Sequence, residues 1–246
     1  MARTGAENPL PALGNANDSM CMKPITVLLA EDHHIVREGF RSLLKHEPDI
    51  EVVGEAETGR QTVQLTRKLR PAVVVMDIAM PSLNGLEATR QIRKDFPEIK
   101  VVILSAHDDD AYVEQVLVLG AAGFLLKQTS SEVLAKAIRE VQKGNTYYTP
   151  SISKRFHDRS QKALDGAGAF KKKNNRLSSR EVEVLQLIAE GKPNKQVAME
   201  LGVSFKTVDK HRQHLMSKLD IHDVAGLTRY AIAEGIIESS VRVTIT

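Results

Sequence analysis

The stretch "VVVMDIAMPSLNGLE", from Val73 to Glu87, decides the fold of this chain. Four apolar residues run directly into Asp77, and a proline and a glycine follow within the next eight residues. A short β-branched run of this kind is typical of a strand buried on both faces of a parallel sheet. The pattern therefore predicts a carboxylate at the end of a buried strand, with a turn straight after it.

Similar apolar runs recur along the first 143 residues, each followed by a helix-like segment. The runs are "ITVLLAED", "IEVVGEA", "AVVVMD", "KVVILSA" and "GFLLK". In the first helical segment the predicted buried stripe consists of Ile35, Phe40, Leu43 and Leu44. Parallel strands need crossover connections, so this alternation predicts an α/β fold. We expect a doubly wound, flavodoxin-like sheet of five parallel strands with helices on both faces.

Composition narrows the class of protein. The chain has 246 residues, 42% hydrophobic and 26% charged, which is enough apolar material for real cores. Its one cysteine, Cys21, excludes a disulfide within the chain, and no apolar run approaches the roughly 20 residues that span a bilayer. Residues 1–22 lack the apolar stretch of a secretory signal and are expected to form a disordered tail. These features favour a cytoplasmic protein without a membrane partner.

Polar side chains end four of the five predicted strands. Glu31 and Asp32 follow the first strand, Asp77 ends the third, Ser105 the fourth and Lys127 the fifth. In a doubly wound sheet these ends meet at the edge where ligands bind. Clustered carboxylates favour a hard cation such as Mg²⁺. A cation, a lysine and a hydroxyl around one aspartate suit phosphoryl transfer, with Asp77 as the nucleophile.

The segments "LLAEDH", "VVVMDIAMPSLNG", "VVILSAHDD" and "GAAGFLLK" resemble a response-regulator receiver domain, over about Ile25 to Lys143. The resemblance implies that Asp77 accepts a phosphoryl group and that Ser105 and Lys127 contact it. It also implies Mg²⁺ ligands at Glu31, Asp32, Asp77 and the backbone carbonyl of Ala79. Phe124 matches the switch aromatic that moves with Ser105. Gln128 stands where many receivers have proline, so we expect a trans bond between Lys127 and Gln128.

The C-terminal part of the chain differs in charge and pattern. Residues 23–150 hold 16 Lys and Arg against 18 Asp and Glu, whereas residues 171–246 hold 13 against 9. A basic excess indicates a polyanionic partner only weakly. Ser178 and Glu181 form a predicted capping box, and the helices expected next run over about 194–201, 204–219 and 223–234. The pattern predicts a four-helix unit without strands.

The helix over residues 204–219 has an apolar face and a polar face rich in Lys and Gln. A short helix and a glycine turn precede it, as in helix-turn-helix domains, where such residues contact base edges and phosphates. From periodicity alone, a solvated basic face is an equal alternative. The wider segment "LSSREVEVLQLIAEGKPNKQVAMELGVSFKTVDKHRQHLMSKL" closely resembles the LuxR-type DNA-binding domain. The candidate DNA contacts are Lys206, Thr207, Asp209, Lys210, His211, Arg212, Gln213 and Lys218.

The two domains in this order resemble a NarL/FixJ-type response regulator. We expect a tail (1–22), a receiver (23–143), a linker (144–175) and a helix-turn-helix domain (176–246). The implied function is that of a transcription regulator, not an enzyme, with a sensor histidine kinase as phosphoryl donor and promoter DNA bound by a homodimer. Two alternatives are a DNA-binding protein independent of phosphorylation and a phosphatase with an aspartyl nucleophile. Phosphorylation is expected either to release a receiver contact that blocks the recognition or final helix, or to form a receiver dimer.

Overall fold

The computed structural model describes residues 23–106, 115–116, 118–149, 152–153 and 177–237. Within these ranges the chain forms six strands and eight helices. Strands and four helices occupy the part up to residue 153, and the other four helices occupy the part from residue 177. Two structural units of the predicted classes are therefore present.

A parallel sheet forms the centre of the first unit. Its strands are β1 (Ile25–Ala30), β2 (Ile50–Ala56), β3 (Val73–Asp77), β4 (Lys100–Ser105), β5 (Gly123–Leu126) and β6 (Tyr147–Tyr148). Their order across the sheet is β2-β1-β3-β4-β5-β6, with every neighbouring pair parallel. All five residues of β3 are buried, as the Val73–Glu87 stretch predicts. The doubly wound sheet is confirmed.

The sheet has one strand more than the five expected. The short β6 pairs with β5, and the Tyr148 hydroxyl donates a hydrogen bond to the carbonyl of Ala121. Beyond it, Ile152 is fully buried in the same core. The two tyrosines have the aromatic side chains that strands favour, but a two-residue strand carries no periodicity from which a sequence could predict it. Residues in the expected linker thus pack on the receiver.

Four helices cover the two faces of the sheet, namely α1 (His34–Leu44), α2 (Gly59–Leu69), α3 (Gly85–Asp95) and α4 (Ser131–Gln142). One core lies between the sheet and helices α2 and α3, and the other lies between the sheet and helices α1 and α4. Another helix was expected between β4 and β5. Two of its key residues, Val113 and Leu117, lie outside the described residues, whereas Val116 is fully buried.

The predicted buried stripe of α1 is half wrong. Phe40 and Leu44 are buried, but Ile35 is 86% exposed and Leu43 is 40% exposed. The inward face instead includes Arg37, whose guanidinium pairs with Glu55 and Glu57 and donates to the carbonyl of Glu31. A buried arginine with satisfied donors replaces apolar contact on this face. Apolar periodicity cannot predict such a residue.

The second unit is a compact group of four helices, α5 (Ser179–Ala189), α6 (Asn194–Leu201), α7 (Phe205–Leu219) and α8 (Val224–Ala233). The predicted capping box is present, since Ser178 and Glu181 each cap the other's backbone amide. Gly202 ends α6 in the left-handed conformation that glycine adopts without cost. The helices share a core that includes Leu185, Val197, Val208 and Leu227.

Candidate functional site

The predicted phosphorylation-site residues converge at one edge of the sheet. Strands β1 and β3 are neighbours, and the chain winds in opposite directions from them, which makes their carboxyl ends the switch point of the fold. Glu31 and Asp77 are each 2% exposed there. The ammonium of Lys127 lies 3.0 Å from Asp77 Oδ2 and 2.9 Å from Glu31 Oε2. The structure thus brings residues from three strand ends together, with the Lys127 ammonium in contact with both carboxylates.

The protonation of this cluster follows from burial. Burial, together with the charge of Glu31, raises the pKa of Asp77 to about 6, although Lys127 acts in the opposite direction. Burial disfavours the charged form of Lys127, but the carboxylates of Asp77 and Glu31 outweigh it and raise the pKa of the ammonium. Above pH 6 the site therefore holds an ionised Asp77 beside a charged lysine.

The donor set suits a hard divalent cation. Glu31, Asp32 and Asp77 offer carboxylate oxygens, the ligand type that Mg²⁺ prefers. Glu31 Oε2 and Asp77 Oδ2 are fully buried and face Lys127 as charge partners, without a well-directed hydrogen bond. Asp32 is more open, with its side chain 27% exposed. The carboxylates present therefore fit a Mg²⁺ ion.

The remaining receiver residues flank this cluster. Ser105 ends β4, is 4% exposed and accepts a hydrogen bond on its backbone carbonyl from the amide of Lys127, at 2.8 Å. Phe124 is fully buried in β5, opposite Ile103 of β4. Among the described residues there is no cis peptide bond, so the expected trans bond between Lys127 and Gln128 is confirmed.

A histidine that sequence analysis missed borders the site. His33 Nδ1 lies 2.9 Å from Asp32 Oδ1 and 3.2 Å from Glu31 Oε1. With these two acids it forms a group whose ligand atoms lie within 4.8 Å of one another. Its position directly after the two acids in "AEDHH" is the signal from which it could have been found.

The loop after Asp77 is closely packed against the strand that carries it. The amide of Gly85 donates to the carbonyl of Ile78 at 2.8 Å, and a Cβ at position 85 would overlap the carbonyl oxygen of Asp77. Only glycine permits this approach. Residues 78–85, the acceptor loop, therefore fold back on Asp77 itself.

The candidate DNA contacts lie on α7. Lys206, Lys210 and Gln213 are exposed, whereas Thr207, Asp209, His211, Arg212 and Lys218 are partly buried. Val208 and Leu215 hold the opposite face in the core. A shallow groove is lined by Ser204, Lys206, Thr207, Asp209, Lys210 and Gln213. The helix thus presents one polar face to the outside, which we call the recognition face.

Two of the predicted contacts have partners within the domain. The Arg212 guanidinium donates to Asn194 Oδ1 at 3.0 Å, and the Lys218 ammonium lies 2.9 Å from Glu181. Arg212 thereby ties α7 to the start of α6, and Lys218 ties it to the start of α5. Both cations have a structural role in addition to any contact with phosphates.

The two units contact each other through the acceptor loop. Gln186 of α5 is 1% exposed; its amide nitrogen donates to the Met80 carbonyl at 2.9 Å, and its oxygen accepts from the Asn84 amide at 2.7 Å. The Ser82 amide donates to Glu190 at 2.9 Å, and the Asn84 side chain donates to the carbonyl of Ile236 at 3.2 Å. This set of contacts is called the loop bridge below.

Charged residues surround the loop bridge. Glu183 of α5 pairs with Arg60 at 3.1 Å and accepts a hydrogen bond from Gln91 at 2.9 Å. Lys192 donates to the Ser82 hydroxyl at 3.1 Å. Sequence analysis missed all of these residues, because a polar stripe on a helix is usually a solvated surface. The spacing of Glu183, Gln186 and Glu190 along one helical face is the signal that was available.

Comparisons with known proteins agree with this geometry. Residues 27–139 match the model of the response regulator receiver domain, and residues 175–231 match that of the bacterial regulatory proteins of the luxR family. The transcriptional regulatory protein DegU of Brevibacillus brevis is 35% identical to this chain, over 84% of the chain and 92% of DegU. This chain belongs to the two-component response regulators with a LuxR-type DNA-binding domain.

Further relatives support the family. The oxygen regulatory protein NreC of Staphylococcus epidermidis is 38% identical, over 86% of this chain and 99% of NreC. The RcsB response regulator of Salmonella typhimurium has a similar structure, with a TM-score of 0.57 and 30% identity over 87% of this response regulator and 99% of RcsB. RcsB has also been solved in complex with DNA; that structure has a TM-score of 0.51 and 30% identity, over 85% of this chain and 98% of RcsB. None of the described helices is long and apolar enough to span a membrane.

Proposed function

We propose that Asp77 accepts a phosphoryl group from a sensor histidine kinase and that this modification controls the binding of the second domain to promoter DNA. The observation that carries the proposal is the convergence of Glu31, Asp77 and Lys127 at the switch point of the sheet, within 3.0 Å contacts. Membership of the response-regulator family supports it.

Each residue of the site has a chemical role in this proposal. The ionised Asp77 attacks the phosphorus atom of the donor, and the bond between phosphorus and the donor's histidine nitrogen breaks. The Lys127 ammonium stabilises the charge on the transferring oxygens, and Ser105 donates a hydrogen bond to one of them. Glu31, Asp32, Asp77 and the Ala79 carbonyl would hold Mg²⁺, which neutralises phosphoryl oxygens when bound. Phe124 would move together with Ser105 after the transfer.

DNA binding is assigned to the recognition face of α7. Lys210 and Gln213 are exposed there and have the side chains that contact base edges in the major groove. One helix-turn-helix unit covers little DNA, so two copies of the chain on two half-sites are proposed. Among the apolar residues of α8, Leu227 and Ala231 are in the domain core, but Val224 and Ile232 are 42% and 39% exposed. The latter two remain available to a second copy.

Two observations disfavour the alternatives. A DNA-binding protein independent of phosphorylation would have no need of the buried carboxylates and lysine, whose burial costs free energy. A phosphatase would need a substrate pocket at Asp77. Two grooves in the described parts of the chain, one along α7 and one between α1 and β2, lie away from Asp77.

The experiment that tests the proposal uses acetyl phosphate and Mg²⁺ as the donor system. Wild-type protein is expected to gain the mass of one phosphoryl group, and Asp77→Asn is expected to gain none. Asp95→Asn is the matched control, because Asp95 is an exposed acid at the end of α3. Stoichiometric phosphorylation of Asp77→Asn at another residue would contradict the assignment.

A further inference from the structure

Arg37 is a buried cation that has no part in the phosphoryl transfer described above. It lies on the inward face of α1 and is 5% exposed. Arginine is almost never buried unless its donors are paired. Here Nε donates to Glu55 at 3.2 Å, Nη2 donates to Glu57 at 2.6 Å, and Nη1 donates to the backbone carbonyl of Glu31 at 2.6 Å. These bonds hold the planar guanidinium in one orientation.

The bond to Glu31 acts on the peptide group that joins Glu31 to Asp32, two of the proposed Mg²⁺ ligands. A peptide group is planar, so the direction of its carbonyl fixes the plane that contains the Cα atoms of both residues. The directions in which the two carboxylate side chains leave the backbone depend on that plane. Arg37 thus holds the backbone from which both acids project.

The start of α1 lacks the side-chain cap that holds other helices of the receiver. Its N-cap residue, His33, makes no capping hydrogen bond with its side chain, whereas Thr58 and Asn84 cap α2 and α3 in this way. On the strand side, the Glu31 amide donates to the carbonyl of Ala56 at 3.0 Å. On the helix side, Arg37 reaches back from the first turn of α1 to the Glu31 carbonyl. The arginine therefore takes over part of what a cap would do.

The two acids that pair with Arg37 have access to water. Glu55 belongs to β2 and Glu57 follows it directly, and their side chains are 31% and 63% exposed. Both acids can stay charged and hydrated if the arginine is removed. Substitution of Arg37 therefore leaves neither of them as a buried unpaired charge, the situation that makes breaking an ion pair most costly.

We infer that Arg37 is a positioning residue for the Mg²⁺ site: its guanidinium holds the peptide group between Glu31 and Asp32 so that both carboxylates present oxygen ligands to the cation. The inference rests on the proposed function, in which Mg²⁺ takes part. Groups that orient metal ligands typically contribute about 10–100-fold to metal affinity. Charge acts in the opposite direction, because removal of one cation by itself favours the binding of another nearby.

The test measures the dissociation constant of Mg²⁺ for full-length protein. MgCl₂ is titrated at constant ionic strength, and backbone amide resonances are followed in two-dimensional NMR spectra. Arg37→Met removes the charge and all three donors at similar side-chain length. Arg37→Lys keeps the charge but lacks the rigid fork of donors. Both variants are expected to bind Mg²⁺ about 10-fold more weakly or more.

Arg41 provides the matched control. It lies one turn later on α1, its side chain is 52% exposed, and its guanidinium is 3.5 Å from Glu55. Arg41→Met therefore removes the same charge next to the same acid, and its Mg²⁺ affinity is expected to equal that of wild type or to be slightly higher. Wild-type affinity in either Arg37 variant would overturn the inference. If Arg37→Met does not fold, Arg37→Lys decides the question.

A second measurement separates positioning from general damage to the site. Phosphorylation by acetyl phosphate is followed by intact mass at several Mg²⁺ concentrations. In Arg37→Met the Mg²⁺ concentration at half-maximal rate is expected to rise by the same factor as the dissociation constant, and the rate at saturating Mg²⁺ is expected to equal that of wild type. A rate lowered equally at all Mg²⁺ concentrations would overturn the inference, because it would show that the substitution disturbs Asp77 itself.

Mg²⁺ binding is measured without a phosphoryl donor, so the inference and the proposed function can fail separately. If wild type binds Mg²⁺ and is not phosphorylated on Asp77, the proposed function fails, and the comparison of affinities still decides the role of Arg37. If wild type is phosphorylated on Asp77 and the Arg37 variants bind Mg²⁺ as tightly as wild type, only the inference is overturned.

Discussion

Asp77 illustrates at the residue scale how a functional group is placed at the expense of stability. Its carboxylate is 2% exposed, and its pKa of about 6 lies above the ordinary value of 3.8 because of burial and the neighbouring Glu31. The folded protein therefore binds more protons than the unfolded chain between about pH 4 and 6. Stability contributed by this group falls as pH rises through that range.

Asp77→Asn should consequently stabilise the protein at pH 7 to 8 without Mg²⁺. The shift of about 2 units corresponds to on the order of 3 kcal/mol at most. The difference in the free energy of unfolding between variant and wild type should shrink as pH falls from 7 towards 4. Denaturant unfolding at several pH values in the presence of EDTA measures it. A variant less stable than wild type at pH 8 would show that the pairing of Asp77 with Lys127 outweighs its burial.

The side chain of Ala79 predicts how fast the phosphoryl group on Asp77 is hydrolysed. Ala79 lies two residues after Asp77 and has no polar side chain to orient an attacking water, so the phosphoryl group should be hydrolysed slowly. Ala79→Asn should speed dephosphorylation, and Ala79→Leu, similar in size but apolar, should not. The loss of phosphoprotein after removal of acetyl phosphate is the measurement. An unchanged rate in Ala79→Asn would exclude water positioning at this residue as the control.

At the scale of elements, α7 divides its polar residues between base contact and positioning. Lys210 and Gln213 are exposed, whereas Arg212 is held by Asn194. Alanine at Lys210 or Gln213 should relax preference at particular base pairs, by about 1–3 kcal/mol each. Alanine at Arg212 should weaken binding to all sequences and reduce its salt dependence. Binding to a library of half-sites at several salt concentrations tests this, and equal losses on all sequences for the three variants would contradict it.

The start of α5 offers a stability prediction at the same scale. Ser178 accepts from the Glu181 amide, and its own amide donates to the Glu181 carboxylate at 2.7 Å. Ser178→Ala should lower the free energy of unfolding by about 1 kcal/mol. The exposed Ser217 of α7 provides the control, since Ser217→Ala removes no cap. Thermal unfolding is the measurement, and equal melting temperatures for the two variants would contradict the role of the cap.

For the whole molecule, the exposed part of α8 predicts cooperative binding to DNA. Ile232 is 39% exposed next to a buried core position. Ile232→Asp should abolish cooperative occupation of two half-sites and leave affinity for one half-site unchanged. Ala233→Asp introduces the same charge one residue later, on another side of the helix, and should retain cooperativity. Gel-shift titrations on single and paired half-sites measure both; cooperativity that survives in Ile232→Asp would exclude pairing through this residue.

Local patterns determined much of this protein. The β-branched runs were sufficient for the parallel sheet, because residues buried on both faces must be apolar throughout. Strand-end polar residues also located the cluster at Asp77, since parallel strands end at one edge. The capping box and the bounds of α6 likewise followed from residues close in the chain.

Only the tertiary structure decided what depends on contacts between distant residues. Ile35 is exposed, and the buried Arg37 lies on the inward face of α1 instead. The pairing of β5 with β6 joins residues that are more than 20 positions apart in the chain. Gln186 and Asn84 are 102 positions apart and have ordinary polar side chains. In the sequence each is indistinguishable from a solvated residue. Their hydrogen bonds exist because the domains dock, and no local pattern encodes which two surfaces meet.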